Sequence, residues 1–105
     1  MLEVSNKNFD RIINSDRPVS ILFYATYCPY CKRFTPIFEK YEKDMRSLLA
    51  RSDITDDDNP LWEKYSIDAV PTVIVFKKGV EIGRIFSKPG LCITEDNFED
   101  LLSKI

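Results

Sequence analysis

An uncharged run, Val19-Ser20-Ile21-Leu22-Phe23-Tyr24-Ala25, ends two residues short of Cys28-Pro29-Tyr30-Cys31. A run of this length is strand-sized, and its nearly continuous apolar character suits a central strand covered on both faces. Beyond the second cysteine the periodicity changes. Phe34, Ile37, Phe38, Tyr41, Met45, Leu48 and Leu49 recur at spacings of three and four, which predicts one long helix. Pro36 falls inside that pattern and should kink the helix about one turn in. A buried strand that feeds directly into a helix requires a sheet with helices packed on it, and the two cysteines sit at the junction.

The rest of the chain fits that frame. Ser5 is placed to cap a first helix, with Val4 packing on Phe9 as a staple and Phe9, Ile12 and Ile13 forming its apolar stripe. A short strand is expected around Asp53-Ile54-Thr55. Asn59 and Pro60 then read as the cap and first position of a helix over residues 61–67. The run Asp56-Asp57-Asp58 suits a solvated loop at a helix start better than a metal site. Thr72–Lys77 and Val80–Phe86 flank Lys78-Gly79 and predict a β-hairpin. Thr94 caps a last helix, with Ile93 stapled to Phe98. The predicted order is αβαβαββα, an α/β fold with a central mixed sheet flanked by helices on both faces. At 105 residues and 12.3 kDa, with no repeat or Gly/Ser linker, residues 1–105 are expected to form one domain.

Composition excludes several functions. The chain is 44% hydrophobic and 30% charged, which supports a packed core rather than disorder. Fifteen Lys and Arg face 17 Asp and Glu, a net charge of −2 without the basic excess that binds phosphates, so no nucleic acid partner is expected. No apolar run approaches the roughly 18–20 residues of a membrane helix, and Met1-Leu2-Glu3-Val4 has no signal-peptide pattern. A cytoplasmic location and no membrane association are therefore expected. The absence of His removes Ser-His-Asp and Cys-His catalysis and His-based metal sites. Three cysteines fit poorly with a secreted disulfide framework.

The cysteine pair carries the chemistry. Thiolate, not thiol, is the nucleophile, and unpaired N–H groups at a helix N-terminus stabilise it. With Cys28 at the N-cap, Pro29 takes the first helical position, where no N–H is needed. The N–H groups of Tyr30 and Cys31 can then reach the Cys28 sulfur. Cys31 lies one turn in, more covered, and close enough to close a disulfide. The spacing predicts an exposed attacking thiol, Cys28, and a sheltered resolving thiol, Cys31, with Lys32 and Arg33 adding positive charge. A chance C-x-x-C rarely falls at a strand-to-helix junction. Half a zinc site would lack ligands, with only Cys92 left, and a structural disulfide is disfavoured in a reducing compartment. Cys92 itself, just before the Thr94 cap, reads as a small apolar residue outside the catalytic cycle.

Over nearly its whole length the chain resembles thioredoxin. Tyr24-Ala25-Thr26-Tyr27-Cys28-Pro29-Tyr30-Cys31-Lys32 is similar to that family's active-site segment, and Pro36 falls where the family has its helix-kinking proline. Tyr65-Ser66-Ile67-Asp68-Ala69-Val70-Pro71-Thr72 resembles the segment that holds the family's cis-proline. From the residues alone Pro71 reads equally as a strand-entry proline; the resemblance implies a cis bond packed against the dithiol, with Val70 and Pro71 lining a substrate groove.

The resemblance implies a thioredoxin fold and a thiol–disulfide oxidoreductase that reduces protein disulfides through a Cys28/Cys31 cycle. It implies an electron donor like thioredoxin reductase, a monomer, and no metal or other cofactor beyond the dithiol. Three departures stand out. Tyr27 replaces the usual Trp, and Pro29-Tyr30 is the glutaredoxin choice. The family's buried Asp aligns with Leu22, and its buried Lys aligns near Ser52, beside Arg51. The alternatives are a glutathione-dependent, glutaredoxin-like oxidoreductase and a non-catalytic thioredoxin-like binding module.

Overall fold

A computed structural model describes residues 1–105. Five strands form one mixed sheet: β1 (Leu2–Glu3), β2 (Val19–Tyr24), β3 (Leu48–Asp53), β4 (Thr72–Lys77) and β5 (Val80–Phe86). Their order across the sheet is β1-β3-β2-β4-β5; β3 runs parallel to β1 and β2, while β4 is antiparallel to β2 and β5. Four helices complete the chain: α1 (Phe9–Ile13), α2 (Pro29–Glu39), α3 (Leu61–Lys64) and α4 (Glu95–Ser103). The β2 run is buried from Val19 to Phe23, as a central strand with both faces covered must be.

Alternation along the strands divides the interior into two cores. Ile21, Phe23, Ile74 and Phe76 join Phe9 and Ile13 of α1 and Leu61 of α3 on one face. Leu22, Val73 and Val75 join Phe34 and Phe38 of α2 and Phe98, Leu101 and Leu102 of α4 on the other. Phe98 is the hub of that second core, with its ring 5.2 Å from Phe38, 6.1 Å from Phe34 and 5.0 Å from Tyr41.

Four expectations need correction. An edge strand, β1, precedes the first helix, so the order is βαβαβαββα. Both its residues are exposed and held by backbone pairing to β3, so no side-chain pattern marks it. The cap of α1 is Asn8 rather than Ser5, whose own N–H donates to Asn8 Oδ1 at 2.8 Å. The helical pattern after Cys31 overruns. α2 stops at Glu39, and Leu48 and Leu49 belong to β3, five residues ahead of the strand expected at Asp53. Tyr41 and Leu49 share the second core with α2 but reach it from a turn and a strand, and Met45 is 83% exposed. Arg46 secures that turn with hydrogen bonds to Asp44 and to Glu99 of α4, and its guanidinium holds the Asp44 carboxyl down to about 2. Finally, α3 spans only Leu61–Lys64, with Pro60 in the cap position and Asn59 Oδ1 accepting the Leu61 N–H at 2.9 Å.

The C-terminal half follows its sequence signals closely. Lys78 and Gly79 both take positive φ, 53° and 82°, as a two-residue hairpin turn demands. A Cβ on Gly79 would also lie 2.7 Å from Asn14 Oδ1. Thr94 caps α4 in a reciprocal box with Asn97.

Candidate active site

β2 delivers the chain to the site and α2 begins in it. The Cys28 N–H donates to Ala25 O at 3.2 Å, closing a turn that sets Cys28 at the cap with φ −90° and ψ 117°. That turn is latched from the side, because the Thr26 N–H donates to Thr55 Oγ1 at 2.9 Å and Thr55 is bonded in turn to Asp53. Pro29 occupies the first helical position, as expected. Of the N–H groups beyond it, that of Cys31 reaches the Cys28 sulfur, at 3.2 Å. This places sulfur where a cap oxygen ordinarily sits, in line with the positive end of α2.

Both cysteines are free thiols and both are buried. Cys28 is 8% exposed and Cys31 2%, so the expected contrast between an open and a sheltered thiol holds in direction but is narrower than the sequence suggests. Burial is the main force that pushes the Cys31 thiol up to about 12, and its hydrogen bond with Cys28 adds to it. The core on the α2 side of the sheet holds Leu22 and Phe34, fully buried, and no carboxylate. The family's buried cation has no counterpart at Ser52, as its departure in sequence implies. Ser52 alternates with Arg51 and Asp53, on the side of Ala50 and Ile54, and its buried hydroxyl has no partner, while Arg51 pairs with Glu3. An open cleft of about 360 Å³ is lined by Cys31 together with Tyr24, Thr26, Lys32 and Thr35 among others.

The second wall is the loop entering β4. The Val70–Pro71 bond is cis, as the resemblance implied. Pro71 is buried and Val70 half-buried, packed against Ala25, Cys28 and Cys31. The Val70 carbonyl accepts the Cys28 S–H at 3.4 Å and the Ser87 hydroxyl at 3.0 Å. Around this centre Tyr27 is 60% exposed, Pro29 and Lys32 are exposed, and the Arg33 guanidinium lies 5.5 Å from the centre of the half-buried Tyr30 ring. Thus Cys28, Cys31, Tyr30 and Val70 pack together, Lys32 lines the cleft beside Cys31, Pro71 follows Val70 into the interior, and Tyr27 and Pro29 flank Cys28 in the chain.

Sequence reasoning missed Ser87 and the contact that Cys92 makes with α2. Cys92 is half-buried, and its S–H faces the Tyr30 carbonyl at 3.7 Å, against the first turn of α2. Burial raises its thiol, the Arg33 charge opposes that, and Cys28 reinforces it. No short-range signal marks either contact, because each joins segments more than a dozen residues apart.

A buried thiol pair at a helix start, walled by a cis-proline loop, can exchange with a disulfide presented along that loop. The thioredoxin family model matches residues 1–104 of the chain. A thioredoxin from Rickettsia bellii is 38% identical over 78 residues, covering 72% of this chain and 74% of its own. One from Chlamydia caviae is 37% identical over 82 residues, covering 78% and 79%. Among solved structures, a thioredoxin from Malassezia sympodialis superposes with a TM-score of 0.83 at 24% identity, covering 99% of this chain and 90% of that one.

Proposed function

This chain belongs to the thioredoxin family and is a thiol–disulfide oxidoreductase, and on that premise we propose that Cys28 attacks and Cys31 resolves. The observation that carries the assignment is the place of Cys28 at the α2 N-cap, 8% exposed against 2% for Cys31, with the Cys31 N–H bonded to its sulfur. The Cys28 thiolate attacks one sulfur of a protein disulfide, forming a mixed disulfide and expelling the other sulfur as a thiolate that takes up a proton. Cys31 loses its proton and attacks the Cys28 sulfur, so the substrate leaves fully reduced and Cys28–Cys31 becomes the disulfide. Two electrons pass from the dithiol to the substrate, and no other cofactor enters the cycle. The half-buried Val70 backbone beside Cys28 supplies an edge along which an extended substrate segment can lie.

Electrons return to the pair from a thioredoxin reductase-like donor. That reading is supported by a bifunctional thioredoxin reductase/thioredoxin from Mycobacterium leprae, 26% identical over 106 residues, which covers 99% of this chain and 23% of that one. No helix is long and apolar enough to cross a membrane. On the proposed reading the protein works as a monomer in the cytoplasm. Pro29-Tyr30 between the cysteines favours the competing glutathione-dependent reading. Insulin reduction by the oxidised protein separates the two, run in parallel with NADPH and thioredoxin reductase, and with glutathione and its reductase. Turnover confined to the first system is the expected result. Turnover confined to glutathione would assign the glutaredoxin-like role.

A further inference from the structure

Two donors converge on one carbonyl at the rim of the dithiol: the Cys28 thiol and the Ser87 hydroxyl both bond the Val70 oxygen. Ser87 directly follows β5 and is 4% exposed. Its backbone N–H donates to Pro71 O at 3.1 Å, so this one residue holds the carbonyls on both sides of the Val70–Pro71 bond in place. The Thr72 hydroxyl takes the preceding carbonyl, Ala69 O, at 2.6 Å. Ser87 therefore binds the one acceptor of this loop that Cys28 also uses.

That sharing has a chemical consequence. A hydrogen bond from a thiol to a carbonyl favours the protonated sulfur, and once the proton leaves, the carbonyl oxygen faces an anion at close range. A second donor on the same oxygen withdraws electron density from it and weakens both effects. We propose that Ser87 is a positioning residue for the attacking sulfur, its hydroxyl engaging the Val70 carbonyl so that Cys28 gives up its proton more readily. The proposal rests on Cys28 being the attacker. The titratable groups beside Cys28 are Cys31, which is hydrogen-bonded to it, Tyr30 of the first turn of α2, and Cys92 from the loop before α4. None of them is altered by a change at Ser87.

The test is the rate at which iodoacetamide alkylates Cys28, located by fragment mass, at pH 7 and at pH 10. Cys31, held near 12, contributes little at either value. In Ser87→Ala the pH 7 rate should fall by about threefold, within the range of one neutral hydrogen bond, while the pH 10 rate falls by clearly less. Ser87→Thr, which keeps the hydroxyl, should restore the wild-type ratio, with circular dichroism showing both variants folded. An unchanged ratio in Ser87→Ala, an equal fall at both pH values, or no restoration by threonine would overturn the proposal. Label that lands on Cys92 or Cys31 in the wild-type protein would remove the premise, and with it the functional assignment.

Discussion

Two helices of this protein begin with the same backbone device and use it for different ends. At α4 the Thr94 hydroxyl accepts the Asn97 N–H at 3.1 Å, and Asn97 Oδ1 accepts the Thr94 N–H at 3.0 Å. Every polar atom in that box is oxygen or nitrogen, reciprocally satisfied and chemically inert. At α2 a sulfur stands in the oxygen's place, and its partner N–H comes from the residue three positions on, which is the second cysteine. Sulfur is the poorer hydrogen-bond acceptor, so α2 has the weaker cap, and what stands there is a nucleophile rather than an inert oxygen. The surroundings differ in the same sense. Phe98 of α4 packs between two α2 phenylalanines and Tyr41, whereas the cysteine pair at the start of α2 packs with Ala25 and the half-buried Tyr24, Tyr30 and Val70.

Exchanging the two caps' chemistry would break this comparison most severely. Cys28→Ser should abolish insulin reduction, while its melting temperature holds or rises, because Ser is a strong N-cap. Retained activity in that variant would mean that another sulfur attacks.

The release step should also depend steeply on pH. Burial is the main reason Cys31 sits near 12, and burial persists when Cys28 is tied up in a mixed disulfide. The thiolate fraction of Cys31, and with it the rate of substrate release in single-turnover experiments, should rise roughly tenfold per pH unit from pH 7 to 9. A flat profile would require a base beside Cys31 that the apolar core under it does not offer.

At α4 the effects should reverse in kind. Thr94→Ala should cost about 1 kcal/mol, a loss of about 4–8 °C in melting temperature, with turnover unchanged. Loss of turnover there would show that the two helix starts are coupled. The smallest effect belongs to Cys92→Ala, which removes a weak S–H contact to Tyr30 O and should leave reductase turnover nearly unchanged. A large fall, or a Cys92-linked dimer forming readily under mild oxidation, would give the third thiol a redox task.

Much of this molecule can be read from short-range chemistry. The hairpin turn announces itself in Lys78-Gly79, the α4 cap in Thr94, and the N-cap position of Cys28 in its place before Pro29, since each depends on neighbours within a few residues. The end of α2 is illegible for the opposite reason. Tyr41 and Leu49 face the same core as Phe34 and Phe38, so their spacing continues a helix that the backbone has already left. β1 has no outward sign because both its residues are exposed and only the pairing with β3 defines them. The burial of Cys28 and the place of Ser87 depend on Val70, 42 residues from the cysteine and 17 from the serine. Nothing at that range is written into local sequence.

The central claim is the division of labour between the two sulfurs, and a trapped intermediate tests it directly. Cys31→Ser keeps the attacker and removes the resolver, so on reaction with insulin it should accumulate a stable mixed disulfide. Fragment masses from the non-reduced adduct should place the bridge on Cys28. A bridge on Cys92, or full catalytic turnover without any trapped adduct, would contradict the account.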